Sequence, residues 1–231
     1  MVSIDRRRLV TAAGAIALAP LAARAAEEVR MYDYLFLDVE DRAAGLAETV
    51  RTAAGEISDA GGEVLGLFTP QLGWRASQGA LLLGWGAGSG DRDAVVERLM
   101  AAPRIRGGVR NRLAPTVRPT AGSRPAPGGI HVHRWFVIDQ ASLPEFVRLS
   151  TQGWVDFEAR FDTDIFGLFT AEPTPEDTAA RRTRLLLVTR YGDHGVWEAS
   201  RDPSTEAMAA FLRRQRLTHD TWAASTLLAP L

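Results

Sequence analysis

Cysteine and lysine are both absent from the 231 residues, and asparagine occurs once, as Asn111. Without cysteine there is no disulfide, no thiolate metal ligand and no thiol nucleophile. Without lysine there is no Schiff base, no lysine-anchored pyridoxal phosphate and no P-loop lysine. All 27 basic residues are arginine, against 28 acidic ones, for a formal net charge of −1. That balance gives no general attraction to nucleic acid or to an anionic membrane surface. Past the N-terminal stretch, no apolar run reaches the about 20 residues that a membrane-spanning helix needs.

What is present begins with an address. "IDRRRLVTAAGAIALAPLAARAAEE" carries Arg6, Arg7 and Arg8, then a modest Ala-rich run, then Ala23-Arg24-Ala25. This reads as a signal peptide over residues 1–25. Arg6-Arg7-Arg8-Leu9 resembles the twin-arginine export motif, and the weak hydrophobicity and Arg24 suit that route. The resemblance implies cargo that folds before export and a periplasmic or secreted location. Cleavage after Ala25 leaves 23 arginines against 27 acidic residues, a net charge of −4, and no stable membrane anchor.

The rest of the chain is a duplication. "GLFT" stands at 66–69 and again at 167–170, 101 residues on. The same offset lays "RMYDYLFLD" from Arg30 over "HVHRWFVID" from His131, and "LAP" closes both halves, from Leu113 and from Leu228. Each half reads strand, helix, strand, strand, helix, strand. The first half has strands at 29–37, 63–69, 79–85 and 109–118, with helices at 42–60 and from an Asp91 cap to about 102. "RPTAGSRPAPGG", starting at Arg118, reads as a linker. The second half has strands at 130–138, 165–171, 184–191 and 226–231, and helices at 142–161 and 204–224. Pro173–Asp177 reads as an exposed turn.

Strand-helix-strand-strand-helix-strand is the split ferredoxin-like unit. The expected class is α+β, with two tandem ferredoxin-like repeats whose antiparallel sheets pack into one barrel-like body. The expected limits are 28–118 for repeat 1, 119–129 for the linker and 130–231 for repeat 2. This layout resembles the dimeric α/β-barrel superfamily. "LLLVTRYGDHGVWEASR", Leu185 to Arg201, and the Arg30-x-Tyr32 opening of "VRMYDYLF" resemble signatures of the NIPSNAP family. The second repeat departs from that opening, with His131-x-His133 in place of Arg-x-Tyr. The resemblance implies a small-molecule cavity, with no shared activity attached, and leaves a homodimer open.

Period-2 alternation puts His131, His133 and Trp135 on one face with Arg30, Tyr32 and Tyr34, and this aromatic and polar set suits a cavity. The other face is mostly aliphatic and suits helix packing. It also holds Asp33 and Arg134, which would sit at strand ends or pair with each other. His131 and His133 could share a metal ion, but only with a third ligand such as Glu63 or Glu172. His194, in a loop, and His219, on a helix, do not reach it. No metal or cofactor is expected. His133, with Tyr32 or His131 assisting, could act as acid and base. The barrel superfamily includes cofactor-independent monooxygenases and isomerase-like enzymes, and implies that chemistry.

Tyr34 and Trp135 are the expected ligand contacts, with Arg190 and Tyr191 at a strand end where an arginine could hold a carboxylate. Alternatively Trp197 packs on the sheet and Arg201 pairs with Glu198 or Asp202. "GWGAGSGDRD", from Gly84, lacks the Walker lysine and reads as a turn before a helix. Three functions remain open: a NIPSNAP-like binder of a small apolar or aromatic molecule, an oxygenase or isomerase of the same superfamily, and a structural protein with a solid core.

Overall fold

The computed structural model describes residues 29–88 and 90–231, without the side chains of Val29, Arg30 and Ala44. The signal peptide expected over residues 1–25 lies outside the described residues. In repeat 1, β1 (Val29–Val39) leads through a short 3₁₀ turn into α1 (Leu46–Asp59). Then come β2 (Gly62–Leu72), β3 (Gln78–Gly86), α2 (Arg92–Met100) and β4 (Ile105–Pro115). In repeat 2, β5 (Ile130–Asp139), α3 (Leu143–Arg160), β6 (Thr163–Ala171), α4 (Pro175–Ala180) and β7 (Arg182–Tyr191) precede α5 (His194–Ala199), α6 (Glu206–Gln215) and β8 (Thr218–Ala229).

All neighbouring strands are antiparallel and the sheet closes on itself in the order β1-β3-β2-β8-β5-β7-β6-β4. Each repeat supplies four adjacent strands. The β2–β8 and β4–β6 seams join the two. Closure removes the exposed sheet edges that a lone repeat would carry.

Strand alternation then sorts the side chains into three cores. On β1, Leu35 and Leu37 pack under α1 and α2, while Tyr32 and Tyr34 enter the barrel. On β5, Val132, Phe136 and Ile138 pack under the helices of repeat 2, while Trp135 enters the barrel. Each fully buried side chain of this size contributes about 1.5–3 kcal/mol relative to exposure.

The repeated "GLFT" has a steric origin. In both repeats a register shift falls just before its glycine, at Gly66 and at Gly167. A Cβ on Gly66 would lie 2.9 Å from the Phe68 ring, and one on Gly167 would lie 2.8 Å from the Phe169 ring. The phenylalanine two residues on folds back over the bulge, so only glycine fits.

Four expectations change. The second helix of repeat 2 stops at Gln215, because Thr218–Ala229 bonds to both β2 and β5, and closing the barrel outweighs the helix propensity of its alanines. His219 is therefore on a strand, where its Nε2 lies 2.7 Å from Asp139 Oδ1. Residues 175–180 form a helix rather than a turn, since Thr174 accepts from the Asp177 amide while the Asp177 carboxylate accepts from the Thr174 amide. Asp91 precedes α2, but its side chain makes no capping bond.

Asp33 does not pair with Arg134. It lies buried on the helix side of β1 between Arg92 and Arg110, with hydrogen bonds of 2.7–3.1 Å to both. Burial pushes its carboxyl up, but the hydrogen bonds and charges of Arg110 and Arg92 outweigh this and hold it below the usual range. A depressed acid stabilises the fold above its unfolded value, and that stability goes as pH falls through the folded value. Asp33→Ala should lower the unfolding free energy by about 3–5 kcal/mol, as it strands two guanidiniums beside the core. Urea denaturation at neutral pH checks this, and the gap to wild type should narrow at acid pH.

Candidate functional site

β1 and β5 stand four strands apart in a ring of eight, on opposite sides of the barrel. Tyr34 and His133 meet between them, with the hydroxyl 2.8 Å from Nδ1. Both side chains are buried. Around His133 pack Phe68 at 4.4 Å and Trp74 at 5.4 Å between ring centres, both edge-to-face. Among the described residues no group bonds His133 Nε2.

Burial, helped by the nearby His131, pushes His133 down to about 3. The imidazole is therefore neutral at physiological pH. Burial pushes the Tyr34 phenol well up, so it too is neutral. With the phenol O–H donating to Nδ1, the tautomer is the one with a proton on Nε2.

A cavity of about 240 Å³ lies beside this pair, at the C-terminal ends of β1 and β5. Tyr34, His133 and Trp135 line it together with Phe36, Trp74 and Trp222. Trp135 and Trp222 are cross-strand neighbours with nearly parallel rings, 11° apart and 6.0 Å between centres. Trp222 is 46% exposed, so it forms the lip. Asn111 and Arg184 supply the polar edge, with Arg184 held 2.8 Å from the Asp177 carboxylate of α4. A wider surface groove at Glu63, Gly84 and Arg98 lies away from both histidines and has no aromatic side chain.

The other candidates separate from this cavity. His131 faces the barrel one level away, with Nε2 3.0 Å from the Ala126 carbonyl, and burial lowers it to about 4. Tyr32 packs edge-to-face on Phe169 at 5.0 Å, and burial, then Glu63, push its phenol up to about 12. Neither lines the cavity, so the grouping of Tyr32 and His131 with His133 at one site does not hold. Arg190 pairs with Asp162 at the far end of β7. Tyr191 points to the helix side, one residue out of phase with the barrel interior, where its hydroxyl accepts from Arg201. It cannot contact a ligand inside the barrel. Arg201 bonds Tyr191 rather than Glu198 or Asp202, and Trp197 packs against the helix-side core as expected.

A shared metal site on the two histidines finds no third ligand: among the described residues no cluster of three histidine or acidic side chains forms. Glu63 pairs with Arg124, and Glu172 with Arg112.

No protein-family model matches the chain, and no curated protein matches it. Solved structures do. A candidate monooxygenase from Lactobacillus acidophilus superposes with a TM-score of 0.59 over 87% of this chain and 94% of its own, at 11% identity. One from Fusobacterium nucleatum gives 0.56 over 88% and 94%, at 10% identity. The fold is the dimeric α/β-barrel. An anthrone oxidase-like protein shares it, with a TM-score of 0.53 over 89% and 93%, at 14% identity. In this chain the two ferredoxin-like units of the barrel are tandem repeats.

The sequence pointed to His133, Tyr34 and Trp135, and missed Trp74 and Trp222. Trp222 was hidden by the helix expected over 204–224. Trp74 sits in a loop, where no periodicity gives a side chain's direction.

Tyr34→Phe should cost about 1–3 kcal/mol in a denaturant titration, since it leaves a buried imidazole without a partner. His133 should show no titration between pH 5 and 8 by NMR. Its folded value lies below the unfolded 6.5, so its stabilising share is complete above about 6.5 and is lost as pH falls through about 3.

Proposed function

We propose that the protein binds a small, flat, mainly apolar molecule of one or two fused rings at the tryptophan-lined end of its barrel. The observation that supports it is the set of three indoles, Trp74, Trp135 and Trp222, around one cavity whose inner wall is the Tyr34–His133 pair. Flat aromatic walls gain most from stacking on a flat ligand. About 240 Å³ is below the usual range for drug-sized pockets, which limits the ligand to a small ring system. The Nε2 proton of His133 offers one directional bond, to a phenol or carbonyl oxygen. This reading agrees with the NIPSNAP-like, non-catalytic function. The cavity counts against the solid-core alternative.

A second reading is a cofactor-independent oxygenase or isomerase, in which His133 takes a proton from the bound ring. The names of two structural neighbours favour it, but it requires the opposite tautomer, in which Nδ1–H donates to the Tyr34 oxygen and Nε2 is the acceptor. The burial that lowers His133 to about 3 works against it, because so weak a base needs a much more acidic substrate. Tyr32 and His131, which could assist such a base, lie off the cavity. We place binding ahead of catalysis for that reason.

The test is tryptophan fluorescence with 1-naphthol as probe. Saturable quenching is expected, and Ala224→Trp, which fills the cavity from β8, should abolish it. Quenching unchanged in that variant would overturn the site. If turnover of any bound compound is found, an unaltered rate in His133→Ala removes the base.

Export through the twin-arginine route belongs to the same proposal. Arg6→Lys with Arg7→Lys should leave the precursor in the cytoplasm, while the wild type yields a mature chain starting at Ala26. Equal export of both would contradict it.

A further inference from the structure

On the helix side of repeat 2 Arg134, Arg201 and Arg214 feel one another's charge, and among the described residues none of the three pairs with a carboxylate. Arg134 lies on β5, Arg201 after α5 and Arg214 in the last turn of α6. Arg214 is 7% exposed, and its guanidinium lies within about 5 Å of the ring centres of Phe136, Phe146 and Phe211. Its Nη1 bonds Ser150, 3.1 Å away, and its Nε has no partner. Arg201 donates to the Tyr191 hydroxyl at 2.9 Å and stacks over Trp197, and its buried Nε is also unpaired. Arg134 is half-buried, and its side chain makes no hydrogen bond or ion pair among the described residues. Asp202, next to Arg201 in sequence, accepts from the Ser204 amide instead.

Repeat 1 shows what such a place ordinarily holds. The 101-residue offset lays Asp33 on Arg134. Asp33 supplies the carboxylate that two arginines grip in bidentate fashion. In repeat 2 the acid is replaced by a third cation, so the cluster is short of the negative charge that its counterpart contains.

We propose that the Arg134–Arg201–Arg214 cluster is a binding site for an oxyanion, a carboxylate or phosphate group carried by a small molecule. Arg214 forms the floor and the half-buried Arg134 and Arg201 form the rim through which the anion enters. Burying like charges without a counter-ion is costly, and an oxyanion bridging guanidinium forks offsets that cost with strong charge-assisted bonds. Burial, then the charge of Arg134, push Arg214 below the usual arginine range, against a smaller opposing pull from Tyr191. Arg214 still carries its charge at neutral pH. This site is separate from the barrel cavity, since Arg134 and Trp135 point to opposite faces of β5.

The experiment is thermal unfolding and calorimetry of the full chain in phosphate and, separately, in succinate, with chloride at matched ionic strength as reference. A bound anion raises the midpoint in proportion to the logarithm of its concentration above the dissociation constant. We expect at least one of the two oxyanions to do so, and Arg134→Gln and Arg201→Gln each to weaken it by about tenfold. Arg148→Gln, which removes an exposed arginine paired to Glu145, should leave it unchanged. Equal midpoints in all three salts would overturn the proposal. So would an oxyanion response retained in both cluster variants. The calorimetric readout does not depend on whether the barrel cavity binds a ring.

Discussion

The Tyr34 hydroxyl and His133 Nδ1 meet across the barrel at 2.8 Å, one from each repeat. An eight-stranded barrel is about wide enough for side chains to fill. A bond at that level ties the two repeats together at their centre, beside the cavity at the tryptophan end. Both partners are buried, so neither can exchange the other for water, and loss of one leaves an unsatisfied group. The same burial keeps the imidazole neutral and gives its remaining N–H to whatever enters from the tryptophan end. Cavity position, ligand polarity and the weakness of His133 as a base all follow from this contact.

Duplication supplied the frame and divergence supplied the chemistry. Phe68 packs edge-to-face on His133 at 4.4 Å, and its counterpart Phe169 packs the same way on Tyr32, the counterpart of His133, at 5.0 Å. The two contacts are one interaction repeated about the barrel's pseudo-twofold axis. The side chains that break the symmetry are those with consequences. Histidine stands opposite tyrosine, and on the helix face arginine stands opposite aspartate. The first difference makes one end of the barrel polar at its floor. The second leaves repeat 2 with uncompensated positive charge.

Much of this was legible in the sequence because alternation along a strand is strict. Two quoted strands were enough to send Tyr34, His133 and Trp135 into the barrel and their neighbours under helices. The repeat offset carried the topology. What failed had physical causes. The alanines after Trp222 looked helical, and only the bonds to β2 and β5 make them a strand. Tyr191 was grouped with Arg190 by adjacency, yet adjacent strand residues face opposite ways. The partners of Asp33 come from α2 and β4, 59 and 77 residues away, and no local pattern shows them. His131 and Tyr32 share the face of His133 but sit one step further along the strand, and depth within a barrel does not show in a period of two.

The most direct test is a crystal structure of the protein soaked with a two-ring phenol. Electron density for the ring between Trp74, Trp135 and Trp222, with its oxygen towards His133, is the predicted result. Density beside His131 or in the surface groove near Gly84, with the tryptophan end empty, would contradict the account.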